Sequence, residues 1–164
     1  MSKVLIISAS DSSVPTMKAV QDVLDEFGVS YTHTISSAHS SPDRTLKLIK
    51  DFHENEGKVI ICGAGLAAHL AGVVAAHFPL PVIGVPLGDG SLKGLDALLA
   101  TLQMPSGIPV ATVGIDMAKN AGILAVQILA TSDSELENKL VEYKKKLAEG
   151  VEEKAANLKS NGSD

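Results

Sequence analysis

Val59-Ile60-Ile61-Cys62-Gly63-Ala64-Gly65-Leu66-Ala67-Ala68-His69-Leu70 is an apolar run that stops in a glycine-rich turn and restarts as a helix. Consecutive apolar residues without alternation suit a strand covered on both faces, the habit of a parallel sheet. The helix after the turn is expected from about Ala67 to His77. The same unit recurs. Val4-Leu5-Ile6-Ile7 reads as a strand, and after a Ser/Asp loop Ser13 or a neighbour can cap a helix with Pro15 in its first turn. Met17, Val20, Val23, Leu24 and Phe27 give that helix one apolar stripe, and Gly28 ends it.

Tyr31, His33 and Ile35 alternate along a further strand, after which Ser41 reads as an N-cap and Pro42 opens a helix to about His53. Pro81 to Val85 is a strand, and Leu95, Leu98, Leu99 and Leu102 mark a helix. Ile108 to Val113 is the last strand, with a helix from about Lys119 to Ala130. Strand–helix units joined by short loops predict an α/β fold. Residues 1–131 should form a three-layer, doubly wound, flavodoxin-like parallel sheet of five strands.

The tail differs. Ser132-Asp133-Ser134-Glu135 reads as a capping box opening an extra C-terminal helix over 132–159. Leu136, Leu140, Tyr143, Leu147, Val151 and Leu158 line one side of it among many Glu and Lys. Such a stripe needs a surface to bury it, either its own domain or a neighbouring subunit. Residues 160–164 are expected to fray.

Composition narrows the function classes. The 164 residues are 45% hydrophobic and 20% charged, ordinary for a globular chain with one core. The net charge of −5, with Arg44 as the only arginine, argues against nucleic-acid binding through phosphates. Cys62 is the single cysteine, so no internal disulfide or cysteine metal site is possible, and a packed, inert thiol is expected. The apolar stretches are too short or too interrupted for a membrane span, and no leader is legible. Cytoplasm is the expected compartment.

In an open parallel sheet, ligands bind beyond the carboxyl ends of the strands. There the chain places Ala9-Ser10-Asp11-Ser12-Ser13, Ser37-Ala38-His39-Ser40-Ser41-Pro42 and the glycine turn with His69. Hydroxyls and free amides at a helix N-terminus suit an anion, although Ser and Asp are also ordinary cap residues. An imidazole exchanges protons near neutral pH, which makes His39 a candidate acid and base. The plainer reading of His39 is a polar loop residue, and of His69 a helix-start residue. His33, His53 and His77 lack ligand-like spacing and read as surface or strand residues.

These motifs, in order, resemble the PurE family of purine biosynthesis, the N5-carboxyaminoimidazole ribonucleotide mutases. The resemblance spans Val4 to Ala130 and rests on Ser37-Ala38-His39, Gly63 to Leu70 and Leu80 to Pro86. Gly94-Leu95-Asp96, Gln103-Met104-Pro105 and Asn120-Ala121-Gly122 add to it. It implies an isomerase with no metal or organic cofactor. Such an enzyme moves a carboxylate from an exocyclic nitrogen to a ring carbon of an aminoimidazole ribonucleotide, by loss and recapture of CO2 in a closed pocket. By the same resemblance His39 is the general acid and base, Ser10 stands at the reacting end, and His69 shapes the pocket. Asp11, Ser12, Ser13, Ser37, Ala38, Ser40, Gly63, Ala64, Gly65 and Leu66 would bind substrate. The family also implies a homo-oligomer, an octamer, acting on a small molecule.

The departures fall at the same loops. Ser13 stands where the family has an aspartate for ribose hydroxyls, and Ser40 where it has an arginine for phosphate. Leu66 replaces the second glycine of a pair, Ala9 a glycine, and Ala71 a proline. Three readings therefore compete: the mutase with a rearranged phosphate site, an enzyme for an unphosphorylated aminoimidazole or related carboxylate, and a non-catalytic binding relative.

Overall fold

A computed structural model describes residues 1–160 of the chain. Its elements run β1 (Val4–Ser8), α1 (Val14–Phe27), β2 (Tyr31–Ile35), α2 (Pro42–Glu54), β3 (Val59–Ala64), α3 (Leu70–His77), β4 (Val82–Pro86), α4 (Leu95–Leu102), β5 (Ala111–Thr112), α5 (Ala118–Ala130) and α6 (Ser134–Ser160). The strands form one parallel sheet in the order β2-β1-β3-β4-β5. The expected doubly wound α/β architecture is therefore present.

Burial explains the uninterrupted apolar runs. Every residue of β1, β3 and β4 is buried, because helices cover both faces. On one face Val4, Ile6, Ile61 and Ile83 pack with Met17, Val20 and Leu24 of α1 and Ala121 and Ala125 of α5. On the other, Leu5, Ile7, Ile60 and Cys62 meet Ile49 of α2, Leu70 and Val74 of α3 and Ala97 of α4. Each such aliphatic side chain contributes about 1.5–3 kcal/mol on burial. Gly122 lets α5 lie close on α1, since a Cβ there would stand 3.0 Å from the Val23 Cβ. Gly28 caps α1 at φ +71°, its N–H reaching the Asp25 and Leu24 carbonyls.

Several boundaries differ from the sequence expectations. The last strand shrinks to Ala111–Thr112; Pro109 has no N–H to give the ladder. α3 begins at Leu70 rather than Ala67, because Leu66 to His69 form tight turns, Ala68 N–H bonding the Leu66 carbonyl and His69 N–H that of Ala67. Neither the Ser13 nor the Ser41 hydroxyl caps its helix. α6 is capped by Asp133, not Ser132: its Oδ1 accepts the N–H groups of Glu135 at 3.1 Å and Leu136 at 3.2 Å. Glu135 pairs instead with Lys139, 2.8 Å away.

The leucines of α4 turn outward. Leu95, Leu99 and Leu102 are about half exposed while Ala97 and Thr101 face the core. The stripe on α6 divides in two. Leu136 is buried and Leu140 and Tyr143 pack on the domain, Tyr143 against the Phe27 ring at 5.6 Å. Val141, Leu147, Val151 and Leu158 are exposed. Ser160, expected to fray, closes α6, and residues 161–164 lie outside the described residues.

Candidate active site

The carboxyl ends of β1, β2 and β3 bring the expected loops to one edge of the sheet. β1 ends in Ser8, fully buried, with its carbonyl accepting the N–H of Ser36. Ser10 follows in extended backbone, and Asp11 to Ser13 make one turn of 3-10 helix before α1. The Ser10 hydroxyl lies 2.8 Å from that of Ser12 and 3.0 Å from that of Ser13. Ser13 is buried, and Asp11 and Ser12 are exposed. Hydroxyls crowd this loop, and its only carboxylate is that of Asp11.

The loop after β2 is knitted by its own side chains. The Ser37 hydroxyl accepts the N–H groups of His39 at 3.3 Å and Ser40 at 3.1 Å. The Ser41 hydroxyl accepts the N–H of Ser37 and donates to its carbonyl. Ala38 packs partly into the core on the α3 side. These bonds fix the backbone that presents His39 and use amides that an anion would otherwise take.

After β3, Gly63 and Ala64 are still buried strand residues, with Gly63 paired to Ser8 and Val85. A Cβ at Gly63 would meet the Met17 side chain, so any larger residue there would require buried Met17 to shift. Gly65 opens the turn, and Leu66 sits at φ +54° with its side chain exposed. That left-handed conformation suits glycine and strains leucine.

The turn delivers His69 to His39. His39 Nε2 and His69 Nδ1 stand 3.1 Å apart, with the rings edge to face at 81°. Both imidazoles are exposed. A nitrogen–nitrogen hydrogen bond needs one donor and one acceptor, so the contact holds a single proton. Such a pair can lend that proton to a bound molecule and take one back. An open groove of about 320 Å³ continues from His69 along α3 to Gly72, His77, Ala100 and Met104.

Other groups are accounted for. Arg44 is held at the end of β2, donating from Nε to the Ile35 carbonyl and from Nη2 to Thr34 Oγ1, each at 3.2 Å. Burial pushes the Cys62 thiol well above its ordinary range, so it stays an inert thiol. His33, expected to be a plain strand residue, is bonded through Nε2 to the buried Ser8 hydroxyl at 2.8 Å, and burial lowers its pKa. Among the described residues no group of three His, Cys, Asp or Glu could hold a metal ion. Asp116, which the sequence does not mark out, binds the N–H of Gly88 in the loop after β4. Its signal was weak, a lone acid between Ile115 and Met117.

A doubly wound sheet with an imidazole pair at its carboxyl edge defines a class of small-molecule site, and similarity to other proteins narrows it. Residues 3–150 match the family model described as AIR carboxylase. The N5-carboxyaminoimidazole ribonucleotide mutase of Thermotoga maritima is 50% identical over 162 residues, covering 99% of this chain and 95% of that one. The protein of the same name from Pyrococcus horikoshii is 52% identical over 157 residues, covering 96% and 89%. The crystal structure of Treponema denticola PurE superposes with a TM-score of 0.88 at 29% identity, over 95% of this chain and 98% of that one. The chain belongs to the AIR carboxylase family.

Proposed function

We propose that this chain is an N5-carboxyaminoimidazole ribonucleotide mutase of purine biosynthesis. Identity of about half over nearly the full length to proteins of that name supports the reading. The observation that carries it is the 3.1 Å contact between His39 and His69 at the sheet edge where substrate would lie.

The chemistry asks for little more. The bond between the carboxyl carbon and the exocyclic nitrogen breaks, releasing CO2 and leaving an amine that gains one proton. The ring carbon then attacks CO2 and gives up one proton. The two transfers cancel, so one imidazole that lends a proton and recovers it suffices. In this reading His39 is that group, His69 orients it and shares its proton, and Ser10 stands at the reacting end. Asp11, Ser12, Ser13, Ser37, Ala38, Ser40 and the Gly63–Leu66 turn line the substrate. A closed site would keep CO2 beside the ring.

The chain acts in the cytoplasm as a homo-oligomer, in our reading an octamer. The outward leucines of α4 and the uncovered outer half of α6 support assembly, with residues 1–131 as the enzyme domain and α6 reaching a neighbouring subunit. Light scattering at micromolar protein should give a multimer; a monomer would oppose this.

A second reading, an unphosphorylated aminoimidazole or related carboxylate as substrate, is favoured by Arg44. The only arginine is engaged by β2, through the Ile35 carbonyl and the Thr34 hydroxyl. Thermal-shift titrations with aminoimidazole ribonucleotide and with its dephosphorylated nucleoside test both. The mutase reading expects the ribonucleotide to raise Tm more. The second expects the nucleoside to match or exceed it, and no shift with either opposes both.

A further inference from the structure

Asp116 follows β5 and sits in the left-handed region at φ +58°, with its N–H bonded to the Pro86 carbonyl at 2.9 Å. Its Oδ1 accepts the N–H of Gly88 at 2.9 Å. Its Oδ2 lies so close over Gly88 that a Cβ there would be 2.6 Å away. The carboxylate thus lies across the backbone of the loop after β4. That loop in turn leans on the turn after β3: a Cβ on Gly65 would stand 2.7 Å from Asp89 Oδ2, and one on Gly90 2.5 Å from Leu66 Cδ2. Leu87 N–H bonds the Ala64 carbonyl at 3.0 Å between the same segments. The contacts run without a gap from Asp116 through Gly88–Gly90 to Gly65–Leu66, the turn that carries His69.

We propose that Asp116 is a positioning residue for the imidazole pair: its carboxylate anchors the Gly88–Gly90 loop that buttresses the Gly65–Leu66 turn. The left-handed conformation of Asp116 is one that Asp and Asn enter more readily than other residues with a side chain. Small misplacements of reacting groups are costly in rate, so an anchor remote from the chemistry matters through geometry. The inference rests on the proposed mutase reading for its kinetic consequence, not for the contact itself.

The variants are Asp116→Gly, which removes the carboxylate and relaxes the backbone, and Asp116→Asn, which keeps an acceptor and tolerates the left-handed conformation. Two measurements are made on the full chain in its native assembly. Amide exchange, which needs no activity, should rise about tenfold in the 63–70 and 86–92 peptides of Asp116→Gly, as a lost hydrogen bond to a charged acceptor implies. Asp116→Asn should stay near the parent. In turnover of N5-carboxyaminoimidazole ribonucleotide, Asp116→Gly should lose about tenfold in kcat with KM changed less, and Asp116→Asn should recover most of it. Parent-like exchange in the 63–70 peptide of Asp116→Gly overturns the coupling. Faster exchange with parent-like kcat overturns the positioning role. A parent with no turnover opposes the mutase reading, and the exchange comparison still decides whether Asp116 holds the turn.

Discussion

His39 and His69 are thirty residues apart in sequence, and the structure places their facing ring nitrogens 3.1 Å apart. The loop after β2 and the turn after β3 meet there because β1 separates their strands by a single position in the sheet. Groups that share one proton should behave as one unit. His39→Asn is expected to lower kcat about 10²-fold, the usual scale of acid–base assistance. His69→Asn should cost less. The double variant should be no slower than His39→Asn alone, because interacting residues are not additive. Multiplicative losses would mean that the imidazoles act separately.

Leu66 is strained where it stands. At φ +54° a leucine costs about 1–2 kcal/mol relative to an unstrained backbone. Leu66→Gly removes that cost, against about 0.5–1 kcal/mol of added unfolded-state entropy. A small net gain of stability in denaturant unfolding is expected. A loss above about 1 kcal/mol would show that the packing of the Leu66 side chain over Gly90 outweighs the strain.

Much of this was open to reading from the residues. The runs at Val4 and Val59 announce buried strands because helices cover both sides of them, and Met17, Val20, Val23, Leu24 and Phe27 announce a stripe that is buried in full. The leucines of α4 announce a helix equally well, yet periodicity cannot say which side faces the sheet, and Ala97 and Thr101 face it. Ser132 lost the cap to Asp133 because caps depend on one residue of register, which composition does not fix. His39 and His69 were legible through their motifs. Their contact was not, since it depends on where two separate loops come to rest. Asp116 was invisible for the same reason: its partner, the Gly88 amide, is twenty-eight residues away.

Ser40 and Ser13, in the loops proposed to line the substrate, give a gain-of-affinity test. Ser40 follows His39 and is exposed, and Ser13 is buried against the Ser10 hydroxyl. Ser40→Arg with Ser13→Asp should raise affinity for the ribonucleotide over its nucleoside by about 2–4 kcal/mol, from a charge-assisted phosphate contact and an added acceptor. Leu66→Gly should be needed as well if Leu66 narrows the site. A parent that already binds the ribonucleotide tightly, unchanged by both residues, would contradict this.

His33 makes stability depend on pH. Burial lowers its pKa below the ordinary 6.5, so the folded protein binds its proton less readily than the unfolded chain. Between the two values the unfolded state carries more protons, and stability therefore falls as pH drops below about 6.5 toward the lowered value. Above that window the contribution is fully present, with the Ser8 hydroxyl bonded to the neutral ring. His33→Gln should flatten this part of a Tm-against-pH curve. An unchanged slope in the variant would assign the acid sensitivity elsewhere.

In the proposed reaction one carboxyl group moves within the substrate. N5-carboxyaminoimidazole ribonucleotide carrying ¹³C in that carboxylate, incubated with the protein in excess unlabelled bicarbonate, tests it directly. The expected product bears the carboxylate on the ring carbon with the label retained, and His39→Asn forms it about 10²-fold more slowly. An unlabelled product would make the protein a carboxylase that draws on bulk CO2 or bicarbonate, and no product at all would contradict the assignment.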